Sequence, residues 1–270
     1  MANEKNKFMT IGQIDATGVK GPHEKELEDI SNIKYPLFID LDMEKLKKIV
    51  EENLGAKMEN IGFNEDWTIT IEMFPEVKIH MSYSFFGDEF GDDIEAEFKF
   101  YFSGERAYWV PGEDSATFID IAIDFIEGRI KNETPFEKAY DKKTDLMKKV
   151  LIQREKPFNL LKKEDKDKLI SFLGAKVWKT TEGWRFKKEI FPQIFIDIIW
   201  NSQCGLDISF SGEKLTYISS YHIELLGIFI INHILRYITV NNPHKDLPDI
   251  CYIMFSRLYT KEKNWEHRTR

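Results

Sequence analysis

Phe102-Ser103-Gly104-Glu105 and Phe210-Ser211-Gly212-Glu213 are the same four residues occurring twice in one chain. Upstream of each lies a second match, Phe74-Pro75 and Phe191-Pro192, and further upstream a third, Leu54-Gly55-Ala56-Lys57 and Leu173-Gly174-Ala175-Lys176. Beyond the turn, Tyr108 answers to Tyr217. Matches in one order on both halves of a chain mark an internal duplication, and the repeated unit is the first thing to read.

The hydrophobic pattern between the matches gives the unit its elements. In the first copy Leu46, Ile49, Val50 and Leu54 have helical spacing. Trp67, Ile69, Ile71 and Met73 then alternate with polar residues, as do Val77, Ile79, Met81 and Tyr83 after Phe74-Pro75, and Ile94 through Phe102 in a third run. Alternation of this kind is a half-buried strand, and short connections between such strands imply antiparallel neighbours. Phe118, Ile121, Ala122, Phe125 and Ile126 close the unit with an amphipathic helix. The second copy repeats the course through Leu169 and Leu173, then Trp184 to Ile190, Ile194 to Trp200 and Leu206 to Phe210, and finally Leu226 to Leu235. The expected fold class is therefore α+β: two tandem, diverged αβββα units with antiparallel sheets, related by a pseudo-two-fold as in a fused dimer.

The units set the domain boundaries. Residues 1–36 read as a polar N-terminal arm, 37–131 as the first unit, 132–157 as a helical connector, 158–240 as the second unit and 241–270 as a C-terminal helix and tail. Thr134-Pro135 has the form of an N-cap followed by a first-turn proline, which predicts a connector helix from there to about Arg154.

Composition narrows the function classes. A formal net charge of -8 does not suit a nucleic-acid binder, whose surface must neutralise phosphates. Cys204 and Cys251 are too few for a disulfide framework and form no CxxC, which fits a reducing, cytoplasmic setting. Met1 to Thr10 has no apolar signal region, and the greasy run Leu225 to Ile231 is far shorter than the ~20 residues of a membrane span, so it reads as a buried helix.

Chemistry-bearing motifs are scarce. No HExxH, GxSxG, GxGxxG or GxxxxGK[ST] is present, and no cofactor is expected. The copies differ most between their second and third strands, where the first carries the longer, acidic loop. Its Asp88, Glu89, Asp92 and Asp93 are the candidate ligands for a divalent cation, since Ca²⁺ and Mg²⁺ take carboxylate oxygens. Tyr108 and Trp109 follow a turn and are the candidate binding residues, while the other tryptophans sit at core spacing. Glu113 and Asp114, and Ser219 and Ser220, precede the closing helices, where carboxylates and hydroxyls suit a helix N-terminus.

Gly87-Asp88-Glu89-Phe90, Phe98 to Phe102 and Tyr108 to Asp114 together resemble a domain family of unknown function from anaerobic bacteria and archaea, most clearly over residues 87–126. The resemblance implies no activity and no catalytic residues. Some members of that family carry a cysteine-rich iron–sulfur module, and a chain with two cysteines departs from that arrangement. The expectation is a non-catalytic binding or assembly protein, acting through an aromatic-rich surface or a cleft between the copies, with a protein partner or a homo-oligomer and neither nucleic acid nor membrane. The alternative is a metal-dependent enzyme or cation-binding protein built on the acidic loop.

Overall fold

The computed structural model describes residues 8–14, 20–87, 96–136, 140, 142–243 and 245–253. These form two compact units, the first ending at Thr134 and the second beginning at Pro135. The first contains α1 (Ile11–Ile14), α2 (Lys20–Lys34), α3 (Met43–Ile49, continued by a π turn), β1 (Lys57–Glu59), β2 (Trp67–Phe74), β3 (Val77–Phe85), β4 (Ala96–Ser103) and α4 (Gly112–Ile130). The second contains α5 (Asp145–Arg154), α6 (Lys166–Leu173), β5 (Lys176–Lys179), β6 (Gly183–Phe191), β7 (Ile194–Asn201), β8 (Gly205–Ser211), α7 (Ser220–Asn241) and the short α8 (Ile250–Ile253). Each sheet is an antiparallel meander, β1-β2-β3-β4 in one and β5-β6-β7-β8 in the other. The α+β repeat is thus present, with one strand more per unit than alternation showed. β1 and β5 follow directly on the helix-ending glycines and are too short for alternation to register.

The repeated motifs are the points where the backbone does something only particular residues allow. Gly55 and Gly174 end the first helices of the matched segments in the left-handed region, at φ 63° and 58°. At the far end, Gly104 and Gly212 have φ of 104° and 130°, and a Cβ on either would lie about 2 Å from the carbonyl oxygen of Glu76 or Gln193 in the neighbouring hairpin. The Phe-Pro pair opens that hairpin, with Phe74 and Phe191 fully buried. Each motif is therefore a helix stop, a hairpin or a turn seated against that hairpin.

Two expectations outside the copies change. The N-terminal arm contains α2, whose Leu27, Ile30 and Ser31 are buried. Its polarity hides a narrow stripe, completed by Lys34, whose ammonium bonds Asp124 and Glu127 of α4 at 2.6 Å each. Burial alone would lower the Lys34 pKa, but these two carboxylates outweigh it and hold it above the ordinary value. The expected connector helix starts later than Thr134-Pro135. It is capped by Thr144, whose hydroxyl accepts from Met147 N–H, and as α5 it belongs to the second unit. Its Met147, Val150 and Leu151 are buried at the spacing seen in α2, and Arg154 reaches Asn232 of α7 at 3.0 Å, as Lys34 reaches Asp124. The repeated unit consequently begins one helix earlier than the sequence matches indicate.

The structure also shifts one pairing. The single turns of 3-10 helix after β4 and β8, Ala107–Trp109 and Leu215–Tyr217, align Tyr217 with Trp109 and not with Tyr108. Ser219 caps α7, accepting from His222 N–H, and Glu113 and Asp114 occupy the first turn of α4. α7 is long and apolar enough to cross a membrane, but 89% of its most apolar window is buried within the fold. It is the core helix of the second unit, as the buried Ile223, Leu226, Ile230, Ile231 and Ile234 show.

Candidate binding surface

Each sheet has an inner face against its helices and an outer face made by the alternate residues. Register places the outer positions in rows across the strands. In the first sheet one row is Glu59, Thr68, Ser82, Lys99 and the next Lys57, Thr70, His80, Tyr101. The corresponding rows of the second sheet are Trp178, Arg185, Ile199, Asp207 and Lys176, Lys187, Asp197, Ser209. On the two central strands the same positions hold Thr68, Thr70, Ser82 and His80 in one copy, and Arg185, Lys187, Asp197 and Ile199 in the other.

The first outer face is sealed by its own chain. His80 is 3% exposed and spans the strands, with Nδ1 2.8 Å from Thr70 Oγ1 and Nε2 2.8 Å from Ser103 Oγ. Phe8 stands edge-on to the imidazole at 4.9 Å, on a segment whose Met9 exchanges two 2.8 Å backbone bonds with Phe102. Phe63, from the β1–β2 loop, stacks on Tyr101 at 4.7 Å. That loop is folded around the Glu65 carboxylate, which accepts the backbone N–H groups of Ile61, Gly62 and Phe63 and a bond from Thr68 Oγ1. Burial acts to raise the Glu65 pKa, but the backbone donors overcome it and hold the carboxyl below the ordinary value. A serine hydrogen-bonded to a histidine has the contact of a nucleophile and its base. Here both residues are buried, His80 against Phe8, and the chain of bonds from Thr70 through His80 to Ser103 pins β2, β3 and β4 together.

The second outer face is open. Its β5–β6 connection is a tight turn, Thr180 N–H to Gly183 carbonyl at 3.0 Å, in place of the longer loop that carries Phe63. Trp178 is 40% exposed and Ile199 is 41% exposed. Arg185 lies over the Trp178 ring at 5.6 Å and pairs with Asp197 through Nε at 2.9 Å, while Lys187 lies over Phe195 at 4.9 Å. The bond to Asp197 holds the Arg185 guanidinium above its ordinary pKa. Beside the sheet, Phe136 N–H bonds the Thr216 carbonyl, Tyr140 packs on Phe210, and Lys143 pairs with Asp207 at 2.7 Å.

Of the residues singled out in the sequence, Tyr108 and Trp109 lie half-buried in the turn between β4 and α4, ring against ring at 6.4 Å. Asp88, Glu89, Asp92 and Asp93 lie outside the described residues. Among the described residues no group of three or more His, Cys, Asp and Glu is placed to hold a metal ion. Both cysteines are free: Cys204 is exposed in the β7–β8 turn, and burial pushes the Cys251 thiol up to about 11. Trp178 was missed because the tryptophans other than Trp109 were assigned to the core, and Ile199 because it was not singled out from its strand. Their signal was phase: each occupies the polar position of an alternating strand, next to buried Val177 and Ile198. No family model, curated protein or solved structure matches the chain.

Proposed function

We propose that this chain is a binding or assembly protein that presents the outer face of its second sheet to a protein partner. The observation that carries the reading is the contrast between equivalent faces. One is sealed by Phe8 and Phe63, and the other leaves Trp178 and Ile199 exposed between Arg185, Lys187 and Asp207. Apolar side chains ringed by charged ones are the usual make-up of an interface, with a large aromatic as its anchor. Duplication supplies the logic: one copy has its sheet covered, and its sister presents a recognisable surface. The reading assigns the protein no reaction.

The test is native mass spectrometry of the protein isolated gently from its source, beside a variant with Trp178→Ala and Ile199→Ser. We expect the unaltered protein to travel in a complex and the variant to lose at least tenfold in affinity, the scale of an interface anchor worth about 1.4–2 kcal/mol. A complex that survives both substitutions intact places the partner elsewhere and removes the proposal.

A further inference from the structure

The two halves of the chain carry opposite charge. Residues 1–134 hold 14 Lys and Arg against 29 Asp and Glu, and residues 135–270 hold 24 against 17. The second half is basic, which the overall charge of -8 conceals. One border of the second sheet shares this character. β5 is an edge strand, paired with β6 alone among the described strands. It reads Lys176-Val177-Trp178-Lys179 and carries no carboxylate. Lys176 and Trp178 are exposed on the outer face, and Lys187 of β6 is the register partner of Lys176. The carboxylates of that face are engaged or lie away from β5. Asp197 is buried and paired with Arg185, and Asp207 pairs with Lys143 at β8, the far edge of the sheet. Glu189 stands beyond the end of β5 and accepts Gln193 N–H at the β6–β7 hairpin. The equivalent edge of the first sheet, β1, mixes Lys57 with Glu59.

An edge strand offers unpaired backbone N–H and C=O groups to a further strand, and lysines on it keep like edges apart. Two copies of β5 would bring lysine to lysine, so the edge is guarded against its own kind. Trp178 plays no part in such a guard. A large ring left 40% exposed between two lysines has the form of an anchor.

We infer that the partner engages this border as an extended acidic segment, added to the sheet alongside β5, with a carboxylate toward Lys176 and Lys187 and an apolar residue against Trp178. The inference rests on the binding role proposed above and names the chemistry of its occupant. Side chains of an added strand alternate between the two faces, so the acidic and apolar residues of the segment should stand two apart. A nucleic acid brings the charge but no backbone amides to extend the ladder. A chain of net charge -8 also repels a long polyanion more than a short acidic segment.

Selection of a random library of short peptides on the full chain tests this. Enriched peptides should carry an acidic residue two places from an apolar one. The tightest should bind the Lys176→Glu and Trp178→Ala variants at least tenfold more weakly, and should weaken as salt is added. Methylating one alternate set of its backbone nitrogens should abolish binding and methylating the other should spare it, because only one set faces β5. Lys176 and Trp178 are exposed, so both variants should fold, as circular dichroism melting will show. No enrichment, enriched peptides without acidic residues, or indifference to the substitutions or to both methylated sets overturns the inference. So does an oligothymidylate that displaces the peptide and binds more tightly. The broader reading fails separately. A complex from the source that is lost with Trp178→Ala, Ile199→Ser but unaffected by Lys176→Glu keeps the face and rejects the acidic strand. A complex unaffected by the first of these variants rejects the face itself.

Discussion

Single residues explain why the repeat survived where it did. Gly104 and Gly212 sit where a side chain would strike a carbonyl of the adjacent hairpin, and Gly55 and Gly174 where a helix must stop in the left-handed region. Those positions tolerate little else, so they stay alike while their surroundings diverge. These residues were legible, because a glycine's geometric demand is local. The burial of His80, Ser82 and Thr68 was not, since all three occupy polar positions of their strands, and Phe8, which packs on His80, lies far away in sequence. Glu65 gives this scale its pH test. Its folded pKa lies below the ordinary carboxylate value of 4.5, so its contribution is fully present above that value and is lost as pH falls through the lowered one. We expect Glu65→Gln to lower the melting temperature at neutral pH and the gap to the unaltered protein to close on acidification toward about pH 3. A gap that stays constant with pH would mean that the Glu65 charge does not hold the loop.

Among elements, the helices ahead of each sheet are the main addition to what alternation and matching motifs revealed. α2 and α5 share a three-residue buried stripe and a terminal cation tied to the closing helix, Lys34 to Asp124 and Arg154 to Asn232. Neither shows in composition, since most residues of each helix face outward. One of the buried differences between the closing helices is a carboxylate. Glu224 of α7 stands where α4 has Ala116, and accepts Thr144 N–H at 2.8 Å together with the hydroxyls of Thr144 and Tyr140. It ties the start of α5 to the core helix. Glu224→Ala imports the first unit's residue but strands those donors, and we expect a loss of about 2–3 kcal/mol in urea unfolding of the full chain. A loss within experimental error would show that water replaces the carboxylate without cost.

For the molecule as a whole, each unit has its own sheet, its own closing helix and its own buried aromatics. Trp67, Phe98 and Phe102 lie in the first unit, and Trp184, Phe186 and Phe191 in the second. Halves of this size are well above the roughly 40 residues below which a core usually needs external staples. Residues 1–134 and 135–270, produced separately, should each give a mixed α and β circular dichroism spectrum and melt cooperatively. A half that remains unfolded would show that its core is not sufficient alone. The sequence by itself determined the duplication, the α+β class, the antiparallel strands and the closing helices, because each follows from short-range spacing and from glycines with no substitute. It also made Trp178 and Ile199 detectable in principle, through their phase. Only the tertiary structure decided which of the two sheets keeps an open face. Phase names the side of a strand a residue is on, whereas cover depends on what crosses that side. In the first unit Phe8 crosses it from a distant position and Phe63 from the Glu65-centred loop ahead of β2; in the second, a tight turn at Thr180 stands in place of that loop.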